Sequence, residues 1–502
     1  LANTRDTARR AHAQARQFRL VVVTTSPGRN GMRELRQILH RRQPGQLVIA
    51  TQTPPLAPIL PLLPIAAAGL GDGEAGGLTS DTTNLPNLVA GIDIAPTILD
   101  HLGLPIPDEM KGRVIRVEGE RQPAELTPFR DRLDELGPRR TPSLYFLGAG
   151  WLLLYLAAST VLGIGRARLP VRRIGGLAVL WLPTVILIPA AIGNPSPELE
   201  YLIIAAGALL LGFLSDRLLP WPRATLIPAA VGLTAITIDL ALGSHLITRS
   251  VFGPNPGYGS RFYGIGNELK PALMVLLLAG LAAVFTDRPK SNRNALIVVG
   301  SGLLLGVVLG SGRLGAGVGA AIIVASATAV TAMLMLPGRI TGRRVAVLVA
   351  SPVIGLALLA VLDLLTAGGK GHYSHSVLSL DSAGGFFEIV SRRSTLAWQQ
   401  LWKGYMPIVT LACLLAAAFA IRNRDLLKPF AGPIWPAALI GGLAGGLIGS
   451  VTEDSGPMLI VVATITLAGV CAYLLGRPHS GVQPGYDRIR QRPDPNQTEE
   501  TP

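Results

Sequence analysis

The sequence predicts a mainly α protein: a polytopic transmembrane bundle of about eleven helices with a small N-terminal α/β extracytoplasmic domain. Composition is the first reason. Of 502 residues, 49% are hydrophobic and only 15% charged, and the mean hydropathy is +0.43. The second is that, from Ser143 onward, apolar segments of membrane length alternate with loops. The third is that those loops are of two chemical kinds. Every second one is short and basic: Arg166, Arg168, Arg172 and Arg173; Arg288, Lys290 and Arg293; Arg339, Arg343 and Arg344; Arg422, Arg424 and Lys428. Short basic loops stay cytoplasmic, so the loops between them, richer in Gly, His, Tyr and carboxylates, gather on the outer face.

Residues 1–125 read as soluble α/β. A polar helix-like stretch from Thr4 to Arg16 leads into Leu20-Val21-Val22-Val23, a buried-strand pattern closed by Ser26-Pro27-Gly28. A basic helix follows from Met32 to Arg42, then a second apolar strand, Leu47-Val48-Ile49-Ala50. Strands alternating with helices predict a parallel sheet. The apolar run from Ile59 to Leu70 is broken by Pro61 and Pro64 and too short to span a bilayer, so it reads as a core strand with its flanks. Residues 126–142, charged and Pro-bearing, read as a linker to the membrane part.

The predicted spans are 143–164, 174–193, 201–215, 224–245, 271–286, 294–310, 314–336, 345–366, 405–421, 433–451 and 456–476. An odd number of crossings places residues 1–142 outside and the tail inside. The tail, 477–502, is rich in Pro and charge and is expected to be disordered. Residues 1–19 lack the apolar core of a signal peptide or anchor; with that region outside, the expectation is an N-terminally truncated chain or a mis-set start. Cys413 and Cys471 both fall inside apolar segments and form no disulfide framework for the soluble part. The net charge of +14 sits mostly in the basic loops and the tail, which suits an anionic inner leaflet. No basic stripe interleaved with aromatics points to nucleic acid.

Candidate chemistry lies in the outer loops. Gly257 to Lys270 places Arg261, Asn267, Glu268 and Lys270 beside flexible glycines at the head of a membrane helix. Glycine lets backbone approach a ligand, and Arg grips phosphate in a bidentate fork. A re-entrant turn in which Arg261 and Glu268 neutralise each other is the alternative. Ser311-Gly312-Arg313-Leu314-Gly315-Ala316 joins two spans almost directly, so Arg313 sits at the mouth of the bundle, either as a ligand contact or snorkelling to the interface. The longest outer loop holds His372, Tyr373 and His375, then an interfacial aromatic stretch with Arg392, Arg393, Trp398 and Trp402. The two histidines suit a general base or phosphate contact better than a metal, because Gly368, Gly369 and Gly371 oppose a helix there. Glu453 and Asp454 form the last outer turn and are expected to pair with Arg261 or Arg313, or to act as acid and base. Asp239 and Asp363 read either as packing partners or as proton-relay groups.

Two family resemblances accompany these readings. Thr79-Ser80-Asp81-Thr82-Thr83, the run Gly91-Ile92-Asp93-Ile94-Ala95-Pro96-Thr97-Ile98-Leu99 to Pro105, and Lys111-Gly112-Arg113 resemble the C-terminal end of alkaline phosphatase superfamily domains. The nucleophile and first metal ligands of that superfamily would lie upstream of Leu1, and its late Asp-His pair is replaced here by Thr25-Ser26-Pro27 and Thr53-Pro54-Pro55. The resemblance therefore implies a non-catalytic domain. Arg261-x-x-Gly264-x-x-Asn267 and Ser311 to Ala316, followed by a long outer loop with His, are weakly similar to the O-antigen ligase and polymerase superfamily. That similarity implies glycan transfer from a polyprenyl-diphosphate carrier, with Arg261 and Arg313 holding the diphosphate. Asn267, Lys270, Arg392 and Arg393 complete the binding set, and His372, His375, Glu268 or Glu453 act as acid or base. It implies no metal and no cofactor. Membrane lipids and the lipid-linked glycan are the expected partners, and no protein partner is indicated. A transporter or flippase of an anionic lipid-linked molecule and a non-catalytic envelope protein are the alternatives.

Overall fold

A computed structural model of the protein describes residues 9–14, 19–54, 62–71, 75–83, 85–107, 110, 112–161, 168–254, 262–367, 391, 394–422 and 432–477. Arg261, His372, Tyr373, His375, Arg392, Arg393 and the tail from 478 lie outside the described residues, as does the side chain of Asp363.

Among its described residues the N-terminal part contains a helical stretch at 9–14, the helices α1 (Gly28–His40) and α2 (Ile94–His101), and short strands β1 (Val48–Thr51), β2 (Ile65–Ala68), β3 (Leu78–Thr79) and β4 (Arg116–Val117). The expected parallel sheet is not what forms. β1 pairs antiparallel with β2, Val48 opposite Ala68, and β3 pairs antiparallel with β4. Residues 20–23 form no strand either. A strand needs a hydrogen-bonded neighbour, none of the described strands flanks them, and Val22 is 88% exposed.

The buried Asp93 carboxylate ties this part together. It accepts hydrogen bonds from Ser80 Oγ (2.6 Å), Thr82 Oγ1 (2.5 Å) and the backbone N–H groups of Ala90 (2.8 Å) and Arg113 (2.9 Å). Thr97 Oγ1 donates to the Asp93 carbonyl and accepts from the Ile115 N–H. The polar residues of this stretch are thus used on one another, as buried polar groups must be.

The rest is helical. The helices are α3 (Pro123–Val161), α4 (Arg168–Val185), α5 (Ile188–Ala191), α6 (Pro197–Leu218), α7 (Leu226–Ala241), α8 (His245–Thr248), α9 (Leu269–Val284) and α10 (Asn292–Gly310). They continue as α11 (Val318–Met335), α12 (Gly342–Ala367), α13 (Ser394–Leu401), α14 (Met406–Arg422), α15 (Ile434–Thr452) and α16 (Met458–Leu475). Each of the eleven expected spans falls on one of them. Among the described residues, seven helices are long and apolar enough to cross a membrane, and eight if α13 and α14, bent by 98°, count as one span; α9 and α11 are apolar but shorter. α9 lies at the centre, packed by α7, α11, α15 and α16, with 13 of its 16 residues buried. A helix that is apolar all round belongs inside a bundle. The apolar surface faces outward elsewhere: Val347, Val349, Val353 and Leu358 of α12 are 49–73% exposed. A face of that kind needs lipid against it.

Residues 126–142, read as a linker, are helical within α3 in spite of Pro128, Pro138 and Pro142. Phe129 and Leu136 are buried, and Arg132 and Arg139 both donate to the fully buried Glu200 at the head of α6, at 2.6 and 3.0 Å. Ser143 Oγ meets Tyr201 Oη at 2.6 Å. Tertiary partners for one face of the helix override the prolines and charges that suggested a linker.

The two kinds of loop gather at opposite ends of the bundle. At the basic end, Arg173 pairs with Asp216 (2.7 Å) and donates to the Gly476 carbonyl, and Trp435 Nε1 donates to Thr286 Oγ1. At the other end the described motif-bearing stretches, around 262–270, 311–317 and 453–456, meet.

Candidate functional site: a buried ion-pair cluster where three helices begin

Two stretches that the sequence marked separately lie edge to edge. Ile265 N–H donates to the Gly315 carbonyl (2.9 Å), and Tyr263 Oη donates to the Gly312 carbonyl (2.9 Å). Gly264 makes this approach possible: its φ is +85°, and a Cβ there would collide with the Gly315 backbone. Behind them, Gly264 N–H donates to Ser244 Oγ, and Ser244 is itself set by Asp239. The Asp239 carboxylate accepts the Leu246 and Ile247 N–H groups at 2.9 and 2.8 Å and so caps α8. Of its two readings, Asp239 takes the packing role.

From this junction the chain enters α9, whose first turn carries Lys270. Its ammonium donates to Asn267 Oδ1 at 2.5 Å and to Glu453 Oε1 at 3.0 Å. Asn267 Nδ2 donates in turn to Ser455 Oγ and, at 3.4 Å, to Asp454 Oδ1. The Lys270 and Glu453 side chains are only 5% and 6% exposed. Glu453 therefore pairs with Lys270, a cation that the expectation of Arg261 or Arg313 had not included; Arg261 lies outside the described residues. Glycines make room. A Cβ on Gly319, at the start of α11, would overlap the Glu453 carboxylate, and one on Gly317 would press on Lys270 Cε at 2.9 Å.

Glu268 stands one residue before α9. It is half-buried as a residue, but its carboxyl end turns inward beside Gly266. Desolvation holds its pKa above the ordinary carboxyl value, opposed by its own backbone hydrogen bond and by the positive charges of Arg140 and Lys270. Arg140, from α3, is buried and donates to the Gly253 carbonyl, whose oxygen also lines the space at Gly266. Next to it, Arg132 Nε donates to the Arg249 carbonyl at 3.1 Å. Sequence reasoning missed Arg140, Ser455 and the two glycines. The signal for α3 was present in Arg132, Glu135 and Arg139, which share a helical face and are joined by ion pairs.

Of the expected site residues, Asn267, Glu268, Lys270 and Glu453 come together. Arg313 sits on the adjoining loop with its side chain exposed and its N–H donating to Ser311 Oγ at 3.4 Å. The cluster also lies where three helices begin: α9 at Leu269, α11 at Val318 and α16 at Met458. Helix starts carry partial positive charge and unpaired N–H groups, so they favour the Glu453 carboxylate and any further anion. A 16-residue helix is about 24 Å long, short of the roughly 30 Å hydrocarbon layer, and at its head Leu269 to Met274 are all enclosed by the bundle.

Apolar helices facing outward and a charged cluster enclosed at one end define a multi-pass integral membrane protein. The chain matches no family model, no curated protein and no solved structure.

Proposed function

We propose that the protein acts at the Lys270–Glu453 end of the bundle on an anionic, lipid-linked substrate, transferring a glycan from a polyprenyl-diphosphate carrier. The observation that carries this reading is the convergence of three helix starts with Lys270 and Arg140 around one enclosed spot, an arrangement suited to phosphate. The rule that short basic loops stay inside puts this end, and the N-terminal part, on the outer face. In the reaction, an acceptor hydroxyl attacks the sugar carbon bonded to the diphosphate. The new C–O bond forms as the old one breaks, the diphosphate leaves on its lipid, and the hydroxyl proton passes to a base. Glu268, which keeps a carboxyl in a desolvated place, suits that base, and His372 and His375, whose residue type suits it too, are the alternatives. Arg261, Arg313, Arg392 and Arg393 would steady the leaving diphosphate. The similarity to the O-antigen ligase and polymerase superfamily supports the choice of reaction.

A second reading is transport of the same class of substrate. Short helices starting inside the bundle beside buried charge favour it, because transporters use such helix ends to hold anionic groups. Reconstitution with a polyprenyl-diphosphate-linked glycan separates the two. Wild-type protein is compared with Arg261→Ala, Arg313→Ala and Glu268→Gln. Transfer that falls in all three supports the proposal. Transfer indifferent to all three sinks it, and movement of the glycan across the bilayer without transfer replaces it with the transporter.

A further inference from the structure

One exposed surface next to the cluster has a definite chemistry. Helix α13 (Ser394–Leu401) meets α14 (Met406–Arg422) at 98°. On α13 one residue faces inward: Ala397 is 7% exposed and packs on the turn that carries Glu453 and Ser455. The contact is close, since a Cβ on Gly456 would stand 2.9 Å from both Cα and O of Ala397. Gly456 also has φ +51°, so the turn is shaped for this approach. Trp398 and Trp402, the second just beyond the helix end, stand away from that contact and stack edge to face with centroids 5.5 Å apart, each 61% exposed. Tyr405 at the bend is 71% exposed.

Three large aromatics turned outward along α13 and the bend that follows it would be a liability in water. They continue, without a break, the outward apolar side of α14, where Ile408, Leu411, Leu415 and Phe419 are 57–69% exposed. That side belongs to the lipid-facing surface of the bundle. With α14 crossing the bilayer, a 98° bend lays α13 nearly flat along the membrane plane. Tryptophan and tyrosine concentrate at the depth where apolar rings meet polar head groups.

We propose that α13 lies in the head-group layer with Trp398 and Trp402 among the lipids, and that through Ala397 and Gly456 it holds the Glu453 turn at that depth. The occupant of this surface is the bilayer itself. The inference does not depend on the reaction proposed above. It gives the cluster a lateral neighbour, so that a lipid-anchored head group reaches Asn267 and Lys270 alongside the membrane surface.

Nitroxide-lipid quenching of tryptophan fluorescence in phosphatidylcholine–phosphatidylglycerol vesicles tests the placement, reading wild type minus Trp398→Phe/Trp402→Phe. The expected difference signal is quenched most by a nitroxide near the head group and less by one at the acyl-chain end. Quenching by aqueous iodide instead, by the deep nitroxide most of all, or by none of these would overturn it. A second measurement tests the hold on the turn. A spin label at Asp454→Cys, on a Cys413→Ala/Cys471→Ala background, reports depth from its accessibility to oxygen and to a water-soluble nickel chelate. Trp398→Ala/Trp402→Ala should shift this label toward water. Gly456→Ala, which keeps the tryptophans and disturbs only the contact, should shift it the same way. An unchanged depth in both variants, with helical circular dichroism retained, removes the claim that α13 sets the position of the turn.

Discussion

Lys270 and Glu453 are 183 residues apart in sequence and meet at 3.0 Å, with side chains almost wholly withdrawn from water. Taking both charges out of water is costly, and their attraction offsets that only when the remaining polar atoms are also satisfied. Asn267 supplies that satisfaction on the Lys270 side, and the start of α11 lies against the carboxylate. Such a pair contributes little net stability for its chemistry, so its position at the junction of three motif-bearing loops is what it provides.

Breaking the pair from one side should be far worse than removing it whole. Lys270→Met or Glu453→Gln leaves a buried group without its partner, an effect expected to cost about 3–5 kcal/mol. Lys270→Met combined with Glu453→Met should recover much of that stability while the activity stays lost. Thermal unfolding of the purified protein in detergent, followed by circular dichroism, provides the comparison. Equal losses in the double and single variants would mean that the pair does not act as a unit.

Gly319→Ala offers a gentler way to the same end. The added methyl occupies the place of the Glu453 carboxylate and should push it away from Lys270. Gly300→Ala, on the neighbouring α10 in open space, serves as the control and should be neutral or slightly stabilising, by about 0.5–1 kcal/mol. Matching melting temperatures for the two variants would remove the steric argument.

Glu268 predicts a pH signature. Its folded pKa is raised, so the folded state binds the proton more tightly than the unfolded chain does. The cost of burying the charge is absent below the ordinary carboxyl range and appears as pH rises through the interval up to the raised value. Glu268→Gln, which mimics the protonated form, should therefore be more stable than wild type above that interval and no different at acid pH. Melting curves across pH check the sign. Where Glu268 serves as the base, wild-type turnover should also rise with pH over that interval and lose the rise in the variant.

The Asp93 carboxylate holds four donors in the N-terminal part. Asp93→Ala strands buried hydroxyls and N–H groups, at about 1–3 kcal/mol for each group left unsatisfied. Limited proteolysis should then cut within residues 80–115 much faster, while the helical bundle stays intact. A cleavage pattern like that of wild type would show that the knot is dispensable.

Glu200 is the anchor between α3 and α6. Glu200→Gln removes the buried carboxylate shared by Arg132 and Arg139 and leaves them only the half-exposed Glu135, so it should destabilise the protein by about 3–5 kcal/mol, since Arg132 and Glu200 are 3% and 0% exposed. The melting temperature reads the loss. Tyr201→Phe, which removes only the hydroxyl beside Ser143, should cost far less.

What the sequence determined by itself was the class of protein and the grouping of its loops. Apolar runs of membrane length and the alternation of basic with motif-bearing loops are local properties, legible one segment at a time. They located a helix under every expected span and marked Asn267, Glu268, Lys270 and Glu453 before any contact was known. Partnership was another matter. Glu453 could be assigned to any cation at the same end, and only the packing of α9, α11 and α15 sets Lys270 against it. The prolines of 126–142 suggested a linker, yet Glu200 and the carbonyls of Arg249 and Gly253 gave its arginines partners and made it helix. The antiparallel pairing of β1 with β2 was hidden for the same reason. Local pattern fixes the type of an element, whereas the choice among partners compares free energies of contacts made hundreds of residues apart, and those exist only once the chain has folded.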